Sequence, residues 1–374
     1  MAEYKSLVKK IPISPDKKTK QKDYLKEGQL AIVDQGQSLI GGYTDNINLT
    51  VDCKLPVIVF GDHTRAVKYI TFPFGAGADG IKVLQSKNNI LPRFLYYGTQ
   101  YIVAKMPNRG YARHYQYLEK EDLPVPPIPE QERIVARIEE LFSQLDSGVE
   151  TLRKTKQQLA VYRQAVLKEA FAKFTDYTTL ASISTRIFDG PFGTNLKTAD
   201  YVSAGIRVVR LENIKNGWFD DSKQSFVTEA KYETIKQHTV YPSDLIMSTF
   251  MADNIKICQL PAHIPFAVNK ADCIGIRLRD DYLPEFVILY LLQREVYQRV
   301  AVDIHGATRP RVNTKQIKAI PIPKAGLELQ NAIVFSVEEK LSLCDSIENT
   351  VDLSLQQVEA MRQSILKQAF ENNI

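Results

Sequence analysis

YRQAVLKEAF occupies residues 162–171, and MRQSILKQAF occupies residues 361–370. The two segments match without a gap at an offset of 199 positions, and the match extends back to Gln131 and Gln330. In both copies apolar residues recur at alternating steps of four and three, with no internal proline. This is the pattern of a helix with one narrow apolar stripe. The repeat therefore predicts two long helices of about 40 residues, each roughly 60 Å long.

A lone helix with such a stripe would leave it in water, so each copy needs a partner, and the other copy is the nearest one. We therefore expect the two helices to form an intramolecular coiled coil. Its predicted seam runs through Ile134, Ile138, Leu141, Leu145, Gly148, Leu152, Thr155, Leu159, Tyr162 and Val166 in the first copy. The seam of the second copy runs through Ile333, Val337, Lys340, Cys344, Ile347, Val351, Ser354, Val358, Met361 and Ile365.

Proline-rich approaches precede both helices, LPVPPIP at 123–129 and IPIPKAGLELQ at 320–330. Proline interrupts a preceding sheet and is tolerated at a helix start, so these approaches are predicted linkers. The predicted parts are a head at 1–123, a linker and long helix at 124–173, a second head at 174–319, and a linker and second long helix at 320–374. We call the two heads head 1 and head 2.

The heads alternate short β-rich runs with turns rich in Gly, Asn and Asp, and each has one or two helices. This predicts α+β heads built around twisted, partly barrel-like sheets. Faint phrases recur between them in order, among them GYAR at 110–113 and GATR at 306–309. The sequence thus predicts a tandem duplication in which the helices stay alike and the heads diverge.

Several function classes find no support in the sequence. The longest apolar run, FVILYLL at 286–292, is far shorter than a membrane span. The 4 cysteines and 5 histidines are scattered, which argues against a metal site and favours a reducing cytoplasm. No phosphate-binding loop, dinucleotide fingerprint or hydrolase motif is present. We therefore expect no catalytic residue, no metal and no cofactor on this chain.

The polar loops of both heads carry the residue types that read DNA grooves. Arg, Asn and Gln hydrogen-bond base edges, while Lys and Arg hold phosphates. The net charge of +5 gives weak additional support for a polyanionic partner. The candidate DNA-binding residues are Gln35, Gln37, His63, Thr64, Arg65, Arg109, Arg113, His114, Asn195, Lys197, Arg210, Asn213, Thr249, Asn254, Lys256, Thr308, Arg309 and Arg311.

Taken together, these strings resemble the specificity (S) subunits of Type I restriction–modification systems. The resemblance rests on PEQERIVARIEEL followed by RQAVLKEAF, on the second copy, and on DGPFGTNLKTADY with GIRVVRLENI in head 2. It implies two target-recognition domains separated by two long helices that form an antiparallel coiled coil. Each domain would recognise one half of a bipartite double-stranded DNA site, and the helices would set the gap between the halves.

The resemblance also implies partners. Two methyltransferase (M) subunits would dock on the helices, and restriction (R) subunits would complete an adenine-N6 methyltransferase and ATP-dependent endonuclease. S-adenosylmethionine, ATP and Mg²⁺ would then lie on those partners, in the cytoplasm and without a membrane. Repeated helix-surface residues are the candidates for M docking: Glu139, Glu140, Arg163, Gln164, Lys168, Glu338, Glu339, Arg362, Gln363 and Lys367.

Two other interpretations remain open at the level of the sequence. A coiled-coil scaffold that binds only proteins would show no salt-dependent retention on DNA. A DNA-modifying enzyme that acts alone would modify DNA as the purified chain.

Overall fold

The computed structural model describes residues 1–371 except 78–79, 88, 108 and 303–310. The chain divides into two compact units. Unit 1 comprises residues 1–154 and 351–374, and unit 2 comprises residues 155–350. This division passes through both long helices, so the predicted four-part division of the chain stays a prediction.

Unit 1 contains head 1 and parts of both long helices. The strands of head 1 are β1 Ala2–Glu3, β2 Val8–Ile11, β3 Lys18–Thr19, β4 Leu30–Val33, β5 Gly42–Thr44, β6 Val57–Gly61, β7 Val67–Ile70, β8 Phe74–Gly77, β9 Ile81–Ser86 and β10 Asp122–Leu123. Its helices are α1 Tyr4–Leu7, α2 Pro92–Lys105 and α3 Tyr115–Leu118, and the first long helix is α4 Ile128–Phe171.

Unit 2 contains head 2. Its strands are β11 Tyr177–Thr179, β12 Ser184–Phe188, β13 Tyr201–Val202, β14 Ile206–Val209, β15 Phe226–Val227, β16 Thr239–Val240, β17 Leu245–Ser248, β18 Ile257–Gln259, β19 Ala267–Asn269, β20 Cys273–Leu278 and β21 Pro321–Pro323. Its helices are α5 Glu229–Ile235, α6 Pro284–Leu291, α7 Arg294–Ala301 and α8 Thr314–Lys318, and the second long helix is α9 Leu327–Glu371.

The two heads share one sheet topology. Head 1 has an antiparallel sheet of order β2-β9-β6-β7, and head 2 has an antiparallel sheet of order β12-β20-β17-β18. A second sheet in each head contains a central parallel pair, β4 with β8 and β14 with β19. Matching order in two unlike sequences supports the duplication inferred from the helix repeat.

The long helices run antiparallel within each unit. In unit 1 Arg362 pairs with Asp146, and Leu366 packs in the same core as Ile138. In unit 2 Arg163 Nη2 lies 2.5 Å from Asp345 Oδ1. Increasing numbers on α4 thus meet decreasing numbers on α9. Arg163 and Arg362, like Asp345 and Asp146, are equivalent positions of the repeat, so both units use the same ion pair.

The predicted seam is wrong at two repeated positions, the first of which is Gly148 and Ile347, both exposed. At the second, Tyr162 and Met361 are 48% and 52% exposed, while the neighbouring Arg163 and Arg362 face the opposite helix. The arginines reach acidic residues with their guanidinium groups, and Arg362 also lies over the Phe142 ring at 5.1 Å. Amphipathic arginine stems cover apolar surface while their charged ends remain paired and partly solvated.

A buried glutamine joins each long helix to its head. Gln131 is 0% exposed. Its Oε1 accepts a hydrogen bond from Leu91 N–H at 2.9 Å, and its Nε2 donates to the carbonyls of Asn89 and Pro126. These contacts connect the start of α4 to the start of α2 and to the proline linker.

The repeat-equivalent Gln330 makes the same set of contacts in unit 2. It is also 0% exposed, accepts from Leu283 N–H at 2.8 Å, and donates to the carbonyls of Asp281 and Ala325. The sequence shows that the two glutamines match, but it gives no sign that they are buried.

The repeated phenylalanines near the helix ends pack into the heads. Phe171 lies against Phe286 with ring centroids 5.3 Å apart in unit 2. Phe370 lies against Phe94 at 5.1 Å and stacks on Tyr101 at 5.2 Å in unit 1. The end of α9 therefore completes the core of head 1, the head from which it is furthest in sequence.

Candidate nucleic-acid interface

The loops of head 1 that carry candidate residues meet at one end of the β2-β9-β6-β7 sheet. The last residue of β6 pairs with the first residue of β9, so the loop after β6 and the loop before β9 lie at the same end. Thr64 Oγ1 donates to the Gln35 carbonyl, and His63 Nδ1 is 3.2 Å from the Ala112 carbonyl. Candidate clusters at 34–38, 61–65 and 109–115 are therefore neighbours.

Asp62 holds these loops together, a role that the sequence did not reveal. This residue is 3% exposed; its carboxylate accepts from Tyr115 N–H at 2.8 Å and lies 3.1 Å from Lys82 Nζ. The Asp62 carbonyl accepts from the His114 amide at 2.8 Å and lies 3.0 Å from His114 Nδ1. His114 is 0% exposed, so we correct its assignment from DNA contact to loop support.

The turn at 34–38 is supported by a buried lysine. Lys68 is 4% exposed, and its Nζ donates to the Asp34 carbonyl at 2.8 Å. Burial lowers the pKa of the Lys68 ammonium, although the neighbouring Asp34 carboxylate opposes that shift. Asp34 Oδ1 also accepts from Gly36 N–H at 2.9 Å, which fixes the turn from which Gln35 and Gln37 project.

Head 1 presents both polar and aromatic groups at this end. Tyr111 is 83% exposed and stacks on His63 at 4.2 Å. Arg65 Nη1 donates to the Met106 carbonyl at 2.9 Å, so this guanidinium is already engaged within the head. The exposed candidates are Gln37, Thr64, Arg109 and Arg113, and the half-buried ones are Gln35, His63 and Arg65.

In head 2 the corresponding loops border a cleft of about 400 Å³. Thr249 N–H donates to the Asp272 carbonyl at 3.0 Å, and Thr249 Oγ1 to Asp272 Oδ1 at 3.0 Å. Asp189 Oδ1 accepts from Asp272 N–H at 3.1 Å. Burial raises the pKa of Asp189; hydrogen bonds from Gly190 and Asp272 oppose that shift, and the Asp272 charge adds to it.

Two candidates of head 2 are structural instead of exposed. Thr249 is 5% exposed and Asn213 is 1% exposed. Asn213 Oδ1 accepts from Arg210 N–H, and its Nδ2 donates to the carbonyls of Asp220 and Lys223, each at 2.8 Å. We correct both assignments, because buried groups with satisfied hydrogen bonds are not available to DNA.

The other candidates of head 2 differ in exposure. Asn254 is half-buried, and its Oδ1 has no hydrogen-bond partner among the described residues. Arg210 is half-buried and lies 5.6 Å from the Tyr201 ring centroid. Thr308 and Arg309 lie outside the described residues. The exposed candidates are Asn195, Lys197, Lys256 and Arg311.

Backbone hydrogen bonds identify equivalent loop positions in the two heads. Asp62 N–H donates to the Gly80 carbonyl and Thr249 N–H to the Asp272 carbonyl. The Asp62 carbonyl accepts from His114 N–H, as the Thr249 carbonyl does from Val312 N–H. The residues just before His114 and Val312 are Arg113 and Arg311. Arg113 therefore corresponds to Arg311, which corrects the sequence pairing of Arg113 with Arg309.

Seven of the ten candidate docking residues make contacts within their own unit. Glu139 accepts from Arg93 at 2.6 Å, and Gln164 bonds the Leu292 carbonyl and Arg294 N–H. Lys168 lies 3.0 Å from Glu295. Arg163 and Arg362 form ion pairs across the helix pair. Glu140 pairs along α4 with Arg137, Lys367 lies 4.0 Å from Glu371, and Glu338, Glu339 and Gln363 are exposed.

The described part of the chain offers neither a metal cluster nor a membrane span. No group of three or more His, Cys, Asp or Glu side chains there could hold a metal ion. None of the helices in that part is both long and apolar enough to cross a bilayer.

Comparisons with known proteins converge on one family. The family model described as Type I restriction modification DNA specificity domain matches residues 9–160. The EcoBI specificity subunit of a Type I restriction enzyme from Escherichia coli is 24% identical over an alignment 371 residues long. This alignment covers 90% of this chain and 74% of the relative.

Two solved structures share the fold. A chain from a study of complex assembly and conformational transition of the type I R-M system aligns with a TM-score of 0.69 at 14% identity, covering 100% of this chain and 97% of that chain. The HsdS subunit from Thermoanaerobacter tengcongensis aligns with a TM-score of 0.50 at 15% identity, covering 100% and 96%. These likenesses confirm the predicted fold class.

Proposed function

We propose that this chain is a specificity subunit of a Type I restriction–modification system, because a family model of that description matches residues 9–160 and curated relatives of that name align with the chain. In this role the chain would select the DNA sequence and would itself carry out no catalysis. We expect its partners to be DNA and the methyltransferase and restriction subunits of the same system.

One observation carries the proposal: two heads of the same topology collect unlike polar loops at the same end of matching sheets. Identical loops would favour a symmetric site, whereas unlike loops favour two different half-sites. We therefore infer that each head recognises one half of a bipartite, asymmetric DNA site. Exposed arginine and glutamine side chains in head 1, and arginine, lysine and asparagine in head 2, supply the hydrogen-bond donors that base edges and phosphates accept.

We expect the two long helices to set the gap between the half-sites and to dock two methyltransferase subunits. Glu338, Glu339 and Gln363 are the candidates with exposed side chains and no ion pair among the described residues, so docking variants begin there. Restriction subunits would then join the complex.

The chemistry would lie on the partners. We expect the complex to be an adenine-N6 DNA methyltransferase and an ATP-dependent site-specific endonuclease. S-adenosylmethionine, ATP and Mg²⁺ would be bound by the partner subunits, and the complex would work in the cytoplasm. This chain would contribute affinity and sequence choice, with phosphate contacts supplying a salt-dependent share of the affinity.

The test is to co-express the chain with its methyltransferase subunits and map methylated adenines across genomic DNA. A two-part motif with a constant gap is the expected result. Methylation without a motif would contradict sequence recognition by this chain, and DNA modification by the purified chain alone would favour a solitary enzyme. Absence of salt-dependent retention on DNA would favour a protein-binding scaffold.

A residue-level test uses Arg113→Ala in the same complex. If Arg113 contacts a base, target binding weakens by about 1–3 kcal/mol, with relaxed preference at one base pair. Arg133→Ala is the matched control, because Arg133 pairs with Glu130 on α4, away from the loop end of the sheet. Equal effects of the two variants in competition against scrambled DNA would remove Arg113 from the interface.

A further inference from the structure

The two heads place equivalent arginines in different electrostatic settings. Arg113 immediately precedes His114, whose amide donates to the Asp62 carbonyl after β6. Arg311 immediately precedes Val312, whose amide donates to the Thr249 carbonyl after β17. Both side chains are exposed. Arg311 lies 3.4 Å from Asp272 Oδ2, whereas Arg113 has no ion pair or ring contact among the described residues. The difference originates at the turn that precedes β9 in head 1 and β20 in head 2.

That turn is left-handed in both heads. Gly80 has φ +74° and the equivalent Asp272 has φ +69°. Glycine adopts this conformation without steric cost, while aspartate is strained there although it tolerates the region better than most residues. Head 2 therefore keeps a carboxylate at a position where glycine is the unstrained choice. Strain of this kind calls for a compensating role.

Asp272 is held in place from three sides. Its amide donates to Asp189 Oδ1 at 3.1 Å, its carbonyl accepts from Thr249 N–H at 3.0 Å, and its Oδ1 accepts from Thr249 Oγ1 at 3.0 Å. The remaining oxygen, Oδ2, faces Arg311. A fixed carboxylate restricts the directions in which its guanidinium partner can point.

A ring completes the support of Arg311. Its guanidinium carbon lies 4.3 Å from the centroid of Phe250, and Phe250 and Arg311 form an isolated β-bridge. The Arg311 side chain is nevertheless 51% exposed, compared with 23% for Asp272. The guanidinium is thus oriented by a ring and an anion but remains accessible from solvent.

Head 1 has glycine at the equivalent position and therefore no carboxylate there. A Cβ atom built on Gly80 would lie 2.5 Å from Gln35 Oε1 and 3.0 Å from the His63 ring. A side chain at this position would therefore displace the end of the Gln35 side chain. The carboxylate–arginine pair is therefore a property of head 2 among the described loops.

We propose that Asp272 is a specificity-determining positioning residue of head 2, which holds Arg311 on Phe250 so that the guanidinium meets a base edge in preference to a phosphate. This inference rests on the proposed function. A guanidinium in fixed orientation can make a bidentate contact with a guanine edge. The adjacent carboxylate also repels phosphates, which weakens binding to the wrong sequence more than binding to the right one. Head 1 has glycine at the equivalent position, so no carboxylate there fixes the orientation of the Arg113 guanidinium.

The test compares Asp272→Asn with wild type in the complex with methyltransferase subunits. Asparagine tolerates the left-handed turn and keeps an oxygen for Thr249, but it removes the charge beside Arg311. Once the motif is mapped, competition binding with duplexes substituted at each base pair gives a discrimination profile. We expect about a tenfold loss of discrimination at one base pair of one half-site. Binding to a scrambled duplex should strengthen, and its log–log salt dependence should steepen by about 0.9, the value for one added phosphate contact.

Two further variants make the result decisive. Asp272→Gly copies the residue of head 1, relieves the backbone strain, and should reproduce the asparagine result. Asp280→Asn removes the same charge from an exposed position beyond the opposite end of β20 and should leave the profile unchanged. Thermal unfolding of every variant is recorded, because a purely structural role would weaken target and scrambled binding together.

The outcomes distinguish the proposed function from the role of Asp272. A wild-type complex that shows no motif would refute the proposed function itself. A wild-type motif with an unchanged Asp272→Asn profile would overturn only the role of Asp272. That role is also refuted if both half-sites relax together, or if Asp280→Asn has the same effect.

Discussion

Gln131→Met should destabilise unit 1 far more than the loss of one surface glutamine would. Methionine matches the length of glutamine and fills the same space, so the change removes hydrogen bonds while leaving little cavity. It leaves the amide of Leu91 and the carbonyls of Asn89 and Pro126 without their partner. The side chain is 0% exposed, so water does not replace those bonds without local opening.

The magnitude follows from the three bonds. Their lengths are 2.9, 3.1 and 2.8 Å, all within the normal range for N–H···O bonds. Each contributes ~1 kcal/mol net, and a buried partner left unpaired costs about 1–3 kcal/mol. We expect Gln131→Met to lower the free energy of unfolding of unit 1 by about 3–4 kcal/mol.

Hydrogen exchange followed by mass spectrometry measures unit 1 separately from unit 2. Amides of β6, β9 and α2 should exchange faster by the factor that this free energy gives, about two to three orders of magnitude. Gln144→Met is the matched control, because Gln144 is exposed on the same helix. A change below about 1 kcal/mol for Gln131→Met, or an equal change for the control, would refute the argument that the buried glutamine joins helix and head.

Three other measurements test the packing and electrostatics. Phe370→Ala should destabilise unit 1 by about 3–5 kcal/mol because it empties a core site that is 5% exposed; unchanged exchange of the α2 amides would contradict this. In a double-mutant cycle, Arg163→Met and Asp345→Asn should couple by only about 0.5–1 kcal/mol, because the Asp345 side chain is 63% exposed; zero coupling would show that the pair adds nothing to stability. Hydrogen bonds from Ser222 and the charge of Lys215 lower the pKa of Asp220 to about 2. Since that pKa is depressed in the folded state, the contribution of Asp220 to stability is present above the unfolded pKa of about 4 and is lost as pH falls toward 2. In the Ser222→Ala variant, the Asp220 carboxyl should titrate at higher pH when followed by NMR. An unchanged pKa of Asp220 would exclude the Ser222 side chain as a cause of the shift.

The sequence predicted the two long helices well because the pattern of apolar residues along a helix is local. The four-and-three spacing in α4 and α9 and the absence of proline predict long helices, and the shared offset predicts that they pair. The seam was wrong at Tyr162 and Met361, where the structure turns the neighbouring arginines inward. Residue type alone favours tyrosine and methionine for burial, and the position of acidic partners on the opposite helix is not visible in a single segment.

The sequence predicted polar loops, but it did not predict which of their side chains are buried. The clusters around Gln35, His63 and Arg113 do come together in head 1, because they follow strands that end at one side of the sheet. His114, Asn213 and Thr249 lie in candidate loops but face inward, since each completes the hydrogen bonding of a buried turn. Composition distinguishes a polar loop from a core strand, but it does not tell which polar group in the loop supports the backbone.

By itself, the sequence determined that this protein is a duplicated chain with two alike helices and two unlike heads, because helical periodicity and repeat offset are properties of neighbouring residues. Only the tertiary structure decided that Gln131 and Gln330 are buried junctions, that Arg113 corresponds to Arg311, and that Asp272 faces that arginine. Those facts depend on contacts between residues tens to hundreds of positions apart. Burial and charge pairing arise from such contacts, and no local pattern records them.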